Sequence, residues 1–187
     1  MTKNNNIAIL EEILHIFIRF MRCRLLIFLI LFAVIGTKTY SQSSKIHYLP
    51  PVSATDQVGD QWIYISTSSK EPVSFEVKLP SGDLFYSGEV SNEVPVAVDV
   101  GNGTNSQIVI DVNSSSKILN NSGLIIEADD EIYVSLRMNS SGNQFQAGTI
   151  VSKGDEGLGL KFYSGTFNHT TNSHHSFVSM MASEDNT

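Results

Sequence analysis

The sequence predicts an all-β fold, an antiparallel sandwich or barrel-like sheet of about nine or ten short strands behind an N-terminal signal segment. Three observations carry this. Beyond residue 41 no apolar pattern recurs at helical spacing. Short runs instead alternate apolar and polar residues, as in Ile132, Val134, Leu136 and Met138 against Tyr133, Ser135, Arg137 and Asn139. A period of two places each set on its own face of a strand. The gaps between runs are filled by asparagine, serine, threonine and glycine, which supply turn chemistry.

The signal segment comes first. Residues 25–36 (LLIFLILFAVIG) carry no charge; Arg19, Arg22 and Arg24 precede them, and Thr39, Tyr40, Ser41 and Gln42 follow. A basic lead, a short apolar core and small residues three and one before the cut describe a secretory signal peptide, with cleavage between Ser41 and Gln42. The competing reading is an uncleaved inner-membrane anchor over residues 17–36. Twelve helical residues rise about 18 Å, short of a hydrocarbon core of about 30 Å. Extension to Phe17 brings in three arginines, each costing about 2.5–3.5 kcal/mol at mid-bilayer. Met21 opens a complete signal by itself. Residues 1–20 therefore read as an upstream over-extension, 21–41 as the signal peptide and 42–187 as the exported domain. Both readings put the bulk of the chain outside the inner membrane, secreted or at the cell surface.

Charge and cysteine narrow the function. Of the 12 basic residues, Lys3, Arg19, Arg22, Arg24 and Lys38 precede residue 42; of the 19 acidic ones, Glu11 and Glu12 do. The exported part keeps seven against 17, a net charge of −10. A field of that sign repels phosphate backbones, so nucleic acid is not an expected partner. The lone cysteine, Cys23, lies in the signal. The domain must therefore be held by its core, without disulfides.

The elements follow in order. Residues 45–51 (KIHYLPP) are extended, since Leu49 and Pro50 each precede a proline. Residues 54–61 read as a polar loop and 62–66 (WIYIS) as a strand. Val73, Phe75, Val77 and Leu79 alternate with polar neighbours, Pro80 to Asp83 turn the chain, and 84–90 return as a hairpin. Residues 94–100 alternate again, and Pro95 suggests an edge strand or a first pairing position. Residues 101–106 (GNGTNS) are a turn, Ile108, Ile110 and Val112 mark a strand, and 113–122 read as loop. Residues 123–167 read as four strands, with turns at Asp129, Asp130 and Glu131 and at 139–143. Residues 177–182 (FVSMMA) make the last strand. IYIS at 63–66 recurs as IYVS at 132–135, and FYSG at 85–88 recurs at 162–165, as a duplicated sheet unit or chance would produce.

The motifs with chemical potential are few. His169, His174 and His175 share a polar loop, where solvation outweighs metal binding; His47, beside two prolines, reads as packed. Asp129, Asp130 and Glu131 read as an exposed acidic turn rather than a calcium site. Residues 111–115 begin like an EF-hand loop, but Ser116 and Ser122 stand where glycine and glutamate are required. No G-x-S-x-G, H-E-x-x-H or phosphate-loop motif occurs. Neither catalytic residues nor a metal or other cofactor is expected. Trp62 is suited to stacking on a sugar, although a lone tryptophan in a strand is more often core. The N-x-S/T sequons at Asn102, Asn113, Asn120, Asn139 and Asn168 all fall in expected turns or loops.

Five segments in order, KIHYLPP at 45–51, GLIIEA at 123–128, IYVSLR at 132–137, QAGTIVSKG at 146–154 and FVSMMASEDNT at 177–187, resemble the IgGFc-binding-protein N-terminal region as found in secreted proteins of Bacteroidota. The resemblance implies an exported β-rich binding or adhesion region with no catalytic residues. No residue set here matches a defined Fc contact, so Fc binding does not come with it. In that family the EDNT turn leads into further strands, so the sequence reads as the front of a longer protein whose last strand wants a partner. The expected function is a non-enzymatic surface module for adhesion or ligand binding, its partner an extracellular protein or glycan. A carbohydrate-binding module or carbohydrate-active enzyme fragment, and a structural spacer, are the alternatives.

Overall fold

The computed structural model describes Met21, Arg24 and residues 42–54, 58–141, 148–165 and 177–184. The chain divides into two compact units, Met1–Tyr40 and Ser41–Thr187. The all-β expectation holds for the second. Its described strands are β1 (Ser44–Leu49), β2 (Val52–Ala54), β3 (Val58–Ser66), β4 (Val73–Lys78), β5 (Leu84–Val90), β6 (Val96–Asn102), β7 (Val109–Asp111), β8 (Leu124–Ser140) and β9 (Gly148–Val151). Seven form one antiparallel sheet; β2 and β7 form a small parallel pair.

Strand β8 is the spine. Along one edge it pairs with β3 through its C-terminal half and with β4 through its N-terminal half. Along the other it pairs with β9 and then β1. Strand β6 continues the sheet beyond β3, and β5 beyond β4. Two half-sheets, β1-β8-β4-β5 and β9-β8-β3-β6, thus share one strand. Their inward residues form a single apolar core that includes Ile63, Ile65, Phe75, Val77, Leu124, Ile126, Ile132, Val134 and Leu136.

Here the expected turn at Asp129, Asp130 and Glu131 is corrected: the acids lie inside the 17-residue β8. The buried parity is the same on either side of them, although Asp130, which falls on that parity, is exposed. Leu124, Ile126, Ile132, Val134 and Leu136 are all buried, and all fall on the same parity. What the acids mark is a bulge. Two steps along β1, from Ser44 to Ile46, match five along β8, from Ile132 to Glu127. A bulge bends its strand and sharpens the local twist, which lets one strand serve two half-sheets. Side chains replace the interrupted ladder: Lys45 Nζ donates to the Asp129 carbonyl at 2.7 Å and Thr67 Oγ1 to the Glu131 carbonyl at 2.7 Å. The acids stay exposed on the outside of the bend.

Other elements match or shift. Strand β5 has the expected bounds, and β4 lacks only Leu79. Strand β3 begins at Val58, inside the expected loop. Strand β6 lies at the sheet edge, with Pro95 just before it, as the proline suggested. The last strand expected within 123–167 and the one expected over 177–182 are not present among the described residues. Leu160, Tyr163 and Met180 are instead largely exposed. Alternation alone does not make a strand; without a neighbouring ladder the backbone groups turn to water. The repeat also fails as a duplication, because Phe85 lies in β5 whereas Phe162 lies in no strand. IYIS and IYVS are cross-strand partners, with Ile65 opposite Val134. Asn102 and Asn139 sit in β6 and β8 rather than in loops.

Candidate functional site

The outward face of β6-β3-β8-β9 follows from its register. Asp99, Trp62, Arg137 and Thr149 form one cross-strand row. Ala97, Tyr64, Ser135 and Val151 form the next. Ser66 and Tyr133 begin a third. Strands lie about 4.8 Å apart and rows about 7 Å apart along a strand. Trp62 and Tyr64 therefore neighbour each other along β3, and Tyr133 lies diagonally from Tyr64, about 7–8 Å away. Ile63 and Ile65, the inward residues of the same strand, are 0 % exposed, which forces Trp62 and Tyr64 outward.

This corrects the expectation that Trp62 belongs to the core. It is half-buried on the outer face, while Tyr64 and Tyr133 are exposed. An open hollow of about 540 Å³ lies on this face, lined by Tyr64, Ser135, Arg137, Met138, Gly148 and Thr149. Arg137 is the only arginine beyond residue 41. It is exposed and makes no ion pair among the described residues. The hollow thus offers one aromatic ring, one methionine, two hydroxyl side chains and one positive charge.

A second polar centre is structural. His47 is 0 % exposed. Its Nδ1 lies 3.0 Å from Ser152 Oγ, and its Nε2 lies 3.0 Å from the Ile132 carbonyl and 3.2 Å from the Ser44 carbonyl. Carbonyls only accept, so Nε2 carries the proton, and Nδ1 accepts from the serine hydroxyl. The ring is neutral. Burial pushes its pKa below the ordinary value, opposed by the Ile132 and Ser44 carbonyls and the charge of Asp155. His47 ties β1 and the segment after β9 to β8, at the bulge. Gly154 (φ +54°) makes that approach possible, since a Cβ there would lie 2.2 Å from Ser44 Cβ.

The remaining expected residues are dispersed. Gln42 is an exposed residue just before β1; its cleavage partner Ser41 lies outside the described residues, as do His169, His174 and His175. Asp111 caps the short 3-10 turn Val112–Ser114, its Oδ1 accepting from the Asn113 N–H at 2.8 Å. Asp130 pairs loosely with Lys45 at 4.0 Å. Among the described residues no three histidine, cysteine, aspartate or glutamate side chains gather as a metal site would need. Among them, too, no helix is long and apolar enough to cross a membrane; residues 17–36, apart from Met21 and Arg24, lie outside that statement. The sequence reading passed over Tyr64, Tyr133 and Arg137, although each sits out of phase with its buried neighbours and Arg137 stands alone in type. Compared with known proteins, the chain matches no family model, no curated protein and no solved structure.

Proposed function

We propose that this chain is an exported, non-catalytic β module that binds an extracellular ligand through the outer face of β6-β3-β8-β9. One observation carries the reading: Trp62, Tyr64 and Tyr133 are turned out of a well-packed sheet onto one face, beside an open hollow. Aromatic rings grouped on one exposed face are suited to a partner that covers them. The lining favours binding over reaction. It carries no carboxylate and no imidazole, the groups that general acid–base chemistry uses most. The unit boundary after Tyr40, one residue before the expected cut at Ser41 and Gln42, fits the export of residues 42–187.

The test is solid-phase binding of the full chain to intact mucin-type glycoprotein, compared with the double variant W62A/Y64A. Binding is expected to fall to background in the variant while its thermal unfolding stays unchanged. Undiminished binding by the variant overturns the assignment of this face. In parallel, N-terminal sequencing of the exported product is expected to begin at Gln42.

A further inference from the structure

We infer that the ligand of this face is an acidic glycan, a sugar chain bearing carboxylate or sulfate groups, with Arg137 as the residue that reads the charge. This rests on the binding-face reading above and narrows it.

The argument begins with what the face lacks. A protein partner of ordinary kind would meet a patch with an apolar centre and a rim of mixed charge. Here the hollow is open, and its lining mixes Tyr64 and Met138 with the hydroxyls of Ser135 and Thr149 and the charge of Arg137. Such a surface suits a ligand that is itself amphipathic in layers. A pyranose ring has an apolar C–H face that lies on an aromatic ring and an equatorial rim of hydroxyls that reaches serine and threonine. Trp62 and Tyr64 follow each other along β3 and Tyr133 lies diagonally across on β8, so successive rings offer a track rather than a single pocket.

The charge comes from Arg137. The exported part holds 17 acidic residues against seven basic ones, so an anionic ligand is repelled by most of this molecule. Arg137 offsets that at one place. It stands in a cross-strand row between Trp62 and Thr149, within the lining of the hollow, and Tyr64 lies in the adjacent row. Its planar fork matches carboxylate and sulfate oxygens bidentately. Asp99, at the far end of the same row, is turned to its own chain: its Oδ1 accepts from the Gly101 N–H at 3.0 Å. The nearby acid Asp60 likewise accepts from Asn102 Nδ2. Among the described residues no acid pairs with the guanidinium, which leaves it to a ligand, and the aromatic rings beside it are placed for the sugar that carries the acid.

The experiment uses affinity electrophoresis of the full chain in gels containing a polyuronate, the same polymer after carboxyl reduction, or a sulfated glycosaminoglycan. The polyuronate or the sulfated chain is expected to retard the protein, the reduced polymer to bind about tenfold or more weaker, and R137Q to erase that difference. Whether the carboxylate or the sulfate polymer binds tighter identifies the source of the charge. Y64A is expected to weaken all arms, and R137K to restore only part of the preference, because a lysine lacks the fork. Equal retardation by the native and reduced polyuronate, each sensitive to Y64A, overturns the acidic specificity and leaves the binding face intact. No retardation by any glycan, with W62A/Y64A-sensitive binding to a deglycosylated protein, overturns the glycan class and again leaves the face. All of these variants should unfold at the wild-type temperature, which separates lost contacts from lost structure.

Discussion

The two halves of β8 sit in equivalent surroundings and carry opposite kinds of surface. On the N-terminal half the outward residue Glu127 lies between Ile46 of β1 and Glu76 of β4. Lys78 bridges the two acids, at 2.9 Å from Glu76 and 2.7 Å from Glu127. That charge is closed on itself, and the two carboxylates hold the Lys78 ammonium in its protonated form by raising its pKa. On the C-terminal half, Arg137 has no such partner among the described residues, and Trp62 and Thr149 stand on either side of it. One strand and one core therefore support a surface that satisfies its own charges and a surface that leaves a charge and its aromatic rings available. The difference teaches that one strand can carry a surface whose lysine is engaged by its own acids on one half and, among the described residues, an unpaired guanidinium on the other.

Four substitutions sharpen the contrast, beginning with the joint itself. Ile132, fully buried where β8 passes from one half-sheet to the other, belongs to the core of both. Ile132→Ala is expected to cost about 2–5 kcal/mol, and chemical denaturation should show a single transition shifted to lower denaturant. Separate transitions for the two half-sheets would show that they do not share a core.

His47 gives the next effect, in pH. Its folded pKa lies below the unfolded value of about 6.5, so between the two the unfolded chain binds the extra proton. The stability due to the neutral ring is therefore present above pH 6.5 and declines as pH falls toward the folded pKa. His47→Leu should lower stability at neutral pH, by about 1–3 kcal/mol for the lost hydrogen bonds, and flatten this slope. Thermal unfolding at pH 7.5 and 5.5 measures both; an unchanged slope removes His47 as the titrating group.

The smallest expected effect separates the two outer faces. Lys78→Met should leave glycan binding untouched and lower the melting temperature only slightly, because partly exposed ion pairs contribute little although Glu76 and Glu127 are left facing each other. Arg137→Gln should barely move it either, yet abolish the acidic-polymer preference. Equal loss of binding in both would mean that net charge, not the site, governs attachment.

Several particulars show where sequence reasoning reached and where it stopped. Strand β5 was legible to the residue, because alternating residues and a Pro80–Asp83 turn mark a hairpin locally. Strand β8 was legible in its parity but was cut at the acids, since three charged residues in a row look like a turn until the partner strands are known. The 177–182 stretch shows the reverse error: its composition suits a strand, yet Phe177, Val178 and Met180 are exposed and no ladder receives them. The candidate face was half legible. The buried parity of Ile63 and Ile65 already puts Trp62 and Tyr64 outside, but only the β3–β8 register brings Arg137 beside them.

By itself the sequence determined the all-β class, the period of two that divides inside from outside, the acidic balance and the rarity of arginine, because each is a property of neighbouring residues or of composition. The tertiary structure alone decided that one long strand serves two half-sheets, that His47 closes their joint, and that aromatic rings and a lone guanidinium share a face. Those facts depend on pairing between residues about seventy positions apart, such as Trp62 and Arg137, and no local pattern encodes which distant strand will complete a ladder.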